Sequence, residues 1–178
     1  MKVLVLTGPE SSGKSTLALR LQQAFGGLCI AEQVRLYIEQ TGRDTHYGDV
    51  EIIARQQLAA EDAARAARPH LLILDTHLLS NLLWSRLLFN AAPDWLEGAL
   101  HQRQYDLHLL LDPRGVPWQD DGQRCQPQLT ERLGFHAQCQ AWLERHNQRY
   151  EAIGGDWQQR EKAALEQVER LLERSSQR

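Results

Sequence analysis

The sequence predicts an α/β domain in which a parallel five-stranded sheet lies between two layers of helices. Three observations predict it. Five short apolar runs alternate with longer helical stretches, the pattern of repeated strand–helix–strand units. The stronger runs are apolar throughout instead of alternating, as strands covered on both faces are. The first run passes directly into Gly8-Pro9-Glu10-Ser11-Ser12-Gly13-Lys14-Ser15, the G-x-x-x-x-G-K-[ST] spacing of a phosphate-binding P-loop.

The first strand is Val3-Leu4-Val5-Leu6. The helix opened by the loop carries Leu17, Leu21, Ala24 and Phe25 and stops at Gly26-Gly27. Leu28 to Ala31 is the second strand, followed by helices over about 33–41 and 49–67. Leu71 to Leu74 is the third strand, ending in Asp75, and a helical stretch over 78–103 is broken at Pro93. Leu107 to Leu111 is the fourth strand, ending in Asp112. Pro113, Gly115, Pro117, Gly122 and Pro127 then exclude a regular element, and a loop this long inside a domain reads as a lid over 113–128. A helix over 130–147, a weaker strand from Tyr150 to Ile153 and a helix over 157–174 complete the chain. That last helix has Ala164, Leu165, Val168, Leu171 and Leu172 at helical spacing, with charges on its other face. The reading is one domain over 1–178: a three-layer P-loop NTPase/kinase fold with a lid.

Composition bounds the partners. The 178 residues suffice for one sizeable core, and 42% hydrophobic with 24% charged residues is ordinary for a globular chain. A net charge of −3 gives no overall field for nucleic acid or acidic membranes, so neither is an expected partner. Only Lys2, Lys14 and Lys162 are lysines; the other basic residues are arginines, which suit bidentate oxyanion contacts. Cys29, Cys125 and Cys139 form no C-x-x-C pair, which argues against a disulfide framework or a zinc site and fits a reducing cytoplasm. No apolar run approaches the length of a membrane span, and the seven histidines show no metal-binding spacing.

The chemistry begins at the loop. Its glycines let successive N–H groups converge on phosphate oxygens, while the helix start and Lys14 add positive charge. Ser15 stands where a hydroxyl holds the Mg²⁺ that accompanies ATP. Asp75, at the carboxyl end of its strand, is the expected second partner of that ion, with helix capping as its alternative role. Glu32 and Arg35, three apart on one helix face, follow a strand read as neighbouring the P-loop strand. There they face an acceptor substrate or form a surface ion pair. Arg124 and Arg132 supply cations for a migrating phosphoryl group, or are ordinary surface arginines. Trp84 and Trp118 offer flat faces for stacking, although Trp84 in an apolar helix also suits a core.

The combined segments resemble the kinase domain of bacterial NadR-type nicotinamide riboside kinases. The resemblance rests on the loop through Thr16, on Glu32-Gln33-Val34-Arg35-Leu36-Tyr37 and on Arg55-Gln56-Gln57. It continues through Asp75-Thr76-His77 with Trp84 downstream, the run Pro117-Trp118-Gln119-Asp120-Asp121-Gly122-Gln123-Arg124, and Gly155-Asp156 with Arg160. It implies ATP-dependent phosphorylation of the 5′-hydroxyl of nicotinamide riboside, a step of NAD salvage. It also implies ATP contacts from Gly8, Glu10, Ser11, Ser12, Gly13, Lys14, Ser15, Thr16, Arg124, Asp156 and Arg160. Acceptor contacts are implied for Glu32, Arg35, Gln56, Asp75, Trp84, Trp118 and Asp121. Lys14, Glu32, Asp75, Arg124 and Arg132 would be catalytic, either Glu32 or Asp75 serving as base. His77 stands where the family often has an acidic residue, and no nucleotidyltransferase H-x-G-H motif is present. Kinases for other small acceptors and a regulatory P-loop NTPase are the competing readings.

Overall fold

The strands form because they can be buried on both faces, and their two-residue period decides which layer each side chain joins. In β1 (Lys2–Thr7), Leu4 and Leu6 face one layer, with Leu71 and Ile73 of β3 (Leu71–Asp75) and Leu107 and Leu109 of β4 (Leu107–Leu111). That layer is closed by Leu17 and Leu21 of α1 (Lys14–Phe25) and by Ala164, Val168 and Leu171 of α7 (Trp157–Ser176). Val3 and Val5 point the other way, where they join Leu72, Leu74 and Ala64 of α3 (Tyr47–Ala66). On this second side Leu110 meets α4 (Leu78–Phe89), α5 (Asp94–His101) and α6 (Leu129–Arg145) through Leu78, Leu96, Leu100 and Phe135. Each fully buried leucine contributes about 2 kcal/mol of apolar transfer free energy, so these layers anchor the helices firmly. The computed structural model describes residues 1–176.

With β2 (Leu28–Ile30) and β5 (Tyr150–Ile153), the sheet has the order β2-β3-β1-β4-β5, every pairing parallel. The predicted three-layer architecture and its five strands are present. The placement of the second strand is corrected: β2 pairs with β3 alone, so β3, not β2, lies beside the P-loop strand. Leu6 is in register with Asp75, which puts the third strand's carboxylate level with the start of the loop. The helix expected from 49 begins at Tyr47, because His46 and Asp49 form a capping box in which the His46 N–H donates to Asp49 Oδ2 at 2.9 Å. A short α2 (Gln33–Thr41) follows β2. No helix among the described residues is long and apolar enough to cross a membrane.

Candidate active site

The loop between β1 and α1 is a cradle of backbone turned by Gly8 (φ 134°) and Gly13 (φ 86°). A Cβ on Gly8 would stand 2.7 Å from the Leu111 carbonyl oxygen, so the loop lies against β4 closely enough to need glycine there. Lys14 is buried and spans the loop, its ammonium donating to the carbonyls of Gly8 at 3.1 Å and Pro9 at 2.7 Å. The Ser12 hydroxyl donates to the same Pro9 carbonyl at 2.8 Å, while the buried Ser11 hydroxyl has no partner among the described residues. Ser15 and Thr16 are exposed at the helix start.

Asp75 is 4% exposed, and one of its oxygens, Oδ1, has no hydrogen-bond partner among the described residues. Burial, and then the nearby Glu32 charge, push its carboxyl above the ordinary carboxylate value. Lys14, the Ser15 hydroxyl and Arg35 oppose that rise. Asp75 is not a helix cap: α4 is preceded by His77, and Thr76 turns the chain with φ 69°. A buried carboxylate oxygen without a partner, beside a serine hydroxyl, is an all-oxygen donor set that suits Mg²⁺.

Beside these groups opens a cavity. Glu10, Lys14, Glu32, Arg35, Thr76 and Arg124 give it polar walls; Ile38, Val50, Ile53, Trp84, Leu88 and Phe89 give it apolar ones. Glu32, at the start of α2, accepts from Arg35 Nε at 3.1 Å, and Arg35 Nη1 donates to Asp121 Oδ2 at 2.8 Å. Asp121 also lies 3.1 Å from Arg124 Nε, so the carboxylate holds both arginines. Trp84 lines the cavity and packs its other surface on Phe135, ring centroids 4.6 Å apart. Its core and cavity roles coexist.

Several expected contacts fall elsewhere. Gln56 is exposed and outside the cavity, whereas its neighbour Gln57 is buried, lines the cavity and accepts from the Gln33 N–H at 3.2 Å. The spacing signal was present: Val50, Ile53, Gln57, Glu61 and Ala64 form the buried stripe of α3. Glu10 faces the lid. Its carboxylate accepts from Trp118 Nε1 at 2.8 Å, the Gln126 N–H at 2.8 Å and the Cys125 N–H at 3.1 Å. Trp118 therefore spends its polar edge on the loop and does not line the cavity. Asp156 is a helix cap, exchanging hydrogen bonds with Gln159 at 2.9 Å in each direction. Arg160 is fully buried and donates to four backbone carbonyls, those of Gly155, Ser12, Asp112 and Arg114. Arg132 is also buried, yet Nε and Nη1 have no partner among the described residues. Trp157 is a residue the sequence reading missed: a Cβ on Gly13 would stand 3.3 Å from its ring.

Residues 3–160 match the AAA domain family. The chain belongs to that family. A search of curated proteins returns no match. In fold this AAA domain is similar to NadR solved in complex with NR, with a TM-score of 0.80 and 21% identity over 96% of this chain and 51% of that one. NadR in complex with NAD and AMP-PNP gives a TM-score of 0.78 at 19% identity, over 96% and 49%. Deoxyadenosine kinase from M. mycoides with bound dATP gives 0.67 at 15% identity, over 95% and 100%. The chain thus spans about half the length of the NadR structures and the whole length of the deoxyadenosine kinase.

Proposed function

We propose that the chain is an ATP-dependent kinase for a nucleoside acceptor, and that the acceptor is nicotinamide riboside, phosphorylated on its 5′-hydroxyl in the cytoplasm. One observation carries the reading: the Lys14 cradle opens onto a cavity with an ion-paired carboxylate on one wall and aromatic and aliphatic side chains on others. A hydrolase needs room for water only, whereas walls that pair charged groups with aromatic and aliphatic ones suit a ribose carrying a flat ring.

Lys14 and the loop N–H groups hold the β- and γ-phosphates, and Trp157 beside Gly13 offers a flat face to the purine. Ser15 and Asp75 would hold Mg²⁺, which would supply positive charge next to the phosphates. Glu32, which lines the cavity where Asp75 does not, accepts the proton of the attacking hydroxyl. Arg35 holds Glu32 in place, while Arg124 and Arg132 supply cations around the transfer. Trp84 stacks on the acceptor ring, Gln57 bonds its polar edge, and the lid excludes water. Small molecules are the only partners this chemistry requires.

The length match with deoxyadenosine kinase favours a deoxynucleoside acceptor as second reading. A panel of nicotinamide riboside, nicotinic acid riboside, deoxynucleosides and no acceptor, with Mg-ATP and ADP detection, separates the readings. Turnover of nicotinamide riboside is expected. Turnover of deoxynucleosides alone favours the second reading, and equal ADP release without acceptor points to an NTPase. Lys14→Ala should lower kcat at least 100-fold with an unchanged thermal midpoint; near-normal turnover would remove the loop from the mechanism.

A further inference from the structure

Three metal-ligating side chains meet on α5 and at the C-terminal end of α6, outside the cavity described above. Glu97 and His101 stand four apart on α5 and share one face of it. His146, which follows the last residue of α6, meets them, and one ligand atom from each lies within 4.8 Å of the other two. The group is reachable from solvent: His101 is exposed, and Glu97 and His146 are half-buried.

The side chains are held, not free. The His101 and His146 rings meet edge to face with centroids 4.4 Å apart, and both pack on the Trp142 indole, at 5.8 and 4.4 Å. Glu97 Oε2 accepts from Arg86 Nη2 at 2.6 Å, and Oε1 faces Trp142 Nε1 at 3.4 Å. Packing thus limits the rotamers of all three, which lowers the entropy lost on binding.

We propose that Glu97, His101 and His146 bind a divalent transition-metal ion of the zinc, cobalt or nickel class. Two imidazoles and one carboxylate suit such borderline ions, whereas Mg²⁺ and Ca²⁺ take oxygen donors. Ligand atoms around tetrahedral zinc lie about 3.3 Å apart, so small side-chain rotations close the present spacing. Three protein ligands leave further positions to water. Arg86 orients the carboxylate from the outer shell. The bound ion ties α5 to the end of α6, two helices that share the apolar cluster of α4. Its role is to brace that layer, and it stands apart from the kinase reading.

The test uses the untagged full chain, stripped with chelator and titrated with Zn²⁺ by calorimetry and with Co²⁺ by visible absorption. One ion per chain is expected, with Co²⁺ bands of a tetrahedral or five-coordinate site. Zn²⁺ at a hundredfold excess over Kd should raise Tm by at least about 5 °C. His101→Gln and His146→Gln should each weaken binding at least tenfold while keeping the metal-free Tm. In the unaltered protein, Co²⁺ should broaden the ring resonances of these two histidines selectively, a readout independent of how the variants fold. Absence of binding, affinity unchanged in both variants, or broadening elsewhere, at the Asp75 or cysteine sites, overturns the proposal and leaves a packing cluster only.

Discussion

Lys14, Arg132 and Arg160 are all buried cations, and their partners separate their roles. Arg160 donates to four carbonyls and Lys14 to two carbonyls of its own loop, whereas two nitrogens of Arg132 have no partner among the described residues. An unpaired buried charge weakens the folded state. Arg132→Met should therefore keep or raise Tm while lowering kcat at least tenfold; a fall in Tm with normal turnover would make Arg132 structural. Asp75 carries a similar tension. Its raised pKa means the neutral form suits the fold, so its stabilising share is full at low pH and is lost as pH rises through that value. Asp75→Asn should then raise Tm at pH 8 and abolish turnover. The charges at the loop and strand end were legible because their positions follow from motif and strand. Gln56 was preferred over Gln57 because a motif was followed where the helical period pointed one residue on. The intramolecular partners of Trp118, Glu10 and Arg160 were not legible, because a sequence does not display the carbonyls and carboxylates that meet in space.

At the scale of elements, the lid and the P-loop form one assembly through Glu10. Three donors from two separate parts of the lid converge on one carboxylate, at positions 118, 125 and 126. Charge-assisted bonds of this kind are worth about 2 kcal/mol each to the closed arrangement, and a neutral amide keeps only part of that. Glu10→Gln should leave α1 and the sheet intact but speed tryptic cleavage at Arg114 and Arg124, and lower kcat more than it changes the KM for ATP. Unchanged cleavage would remove Glu10 as a lid contact. Element types and most boundaries followed from apolar runs, glycines and prolines. The start of α3 did not, since His46 is an unusual cap that becomes visible only with its Asp49 partner. The lid was recognisable as irregular, while its attachment was not, because that depends on residues more than 100 positions away.

Across the whole molecule, the second face of the sheet buries His77 and His108, with ring centroids 5.2 Å apart and Tyr105 against both. Glu61 receives the Tyr105 hydroxyl at 3.2 Å. Burial holds His77 well below 6.5, with the neighbouring His108 adding to the effect, and takes His108 down to about 4. The fold keeps both neutral while the unfolded chain protonates near 6.5. Their contribution is thus complete above 6.5 and is lost as pH falls through the folded values. His77→Leu should move the midpoint of acid unfolding to lower pH, followed by tryptophan fluorescence; an unmoved midpoint would acquit the pair. The three layers were legible from strand and helix alternation, whereas strand order was not, because right-handed crossovers allow several orders for the same string of elements. One further consequence lies in Arg160. It bonds the Ser12 carbonyl from 148 residues along the chain, so the loop is braced only once α7 has docked. A nascent chain lacking α7 would carry the full motif without its lock. A nucleotide bound in the cradle would therefore stabilise the docked α7 along with the loop, by mass action.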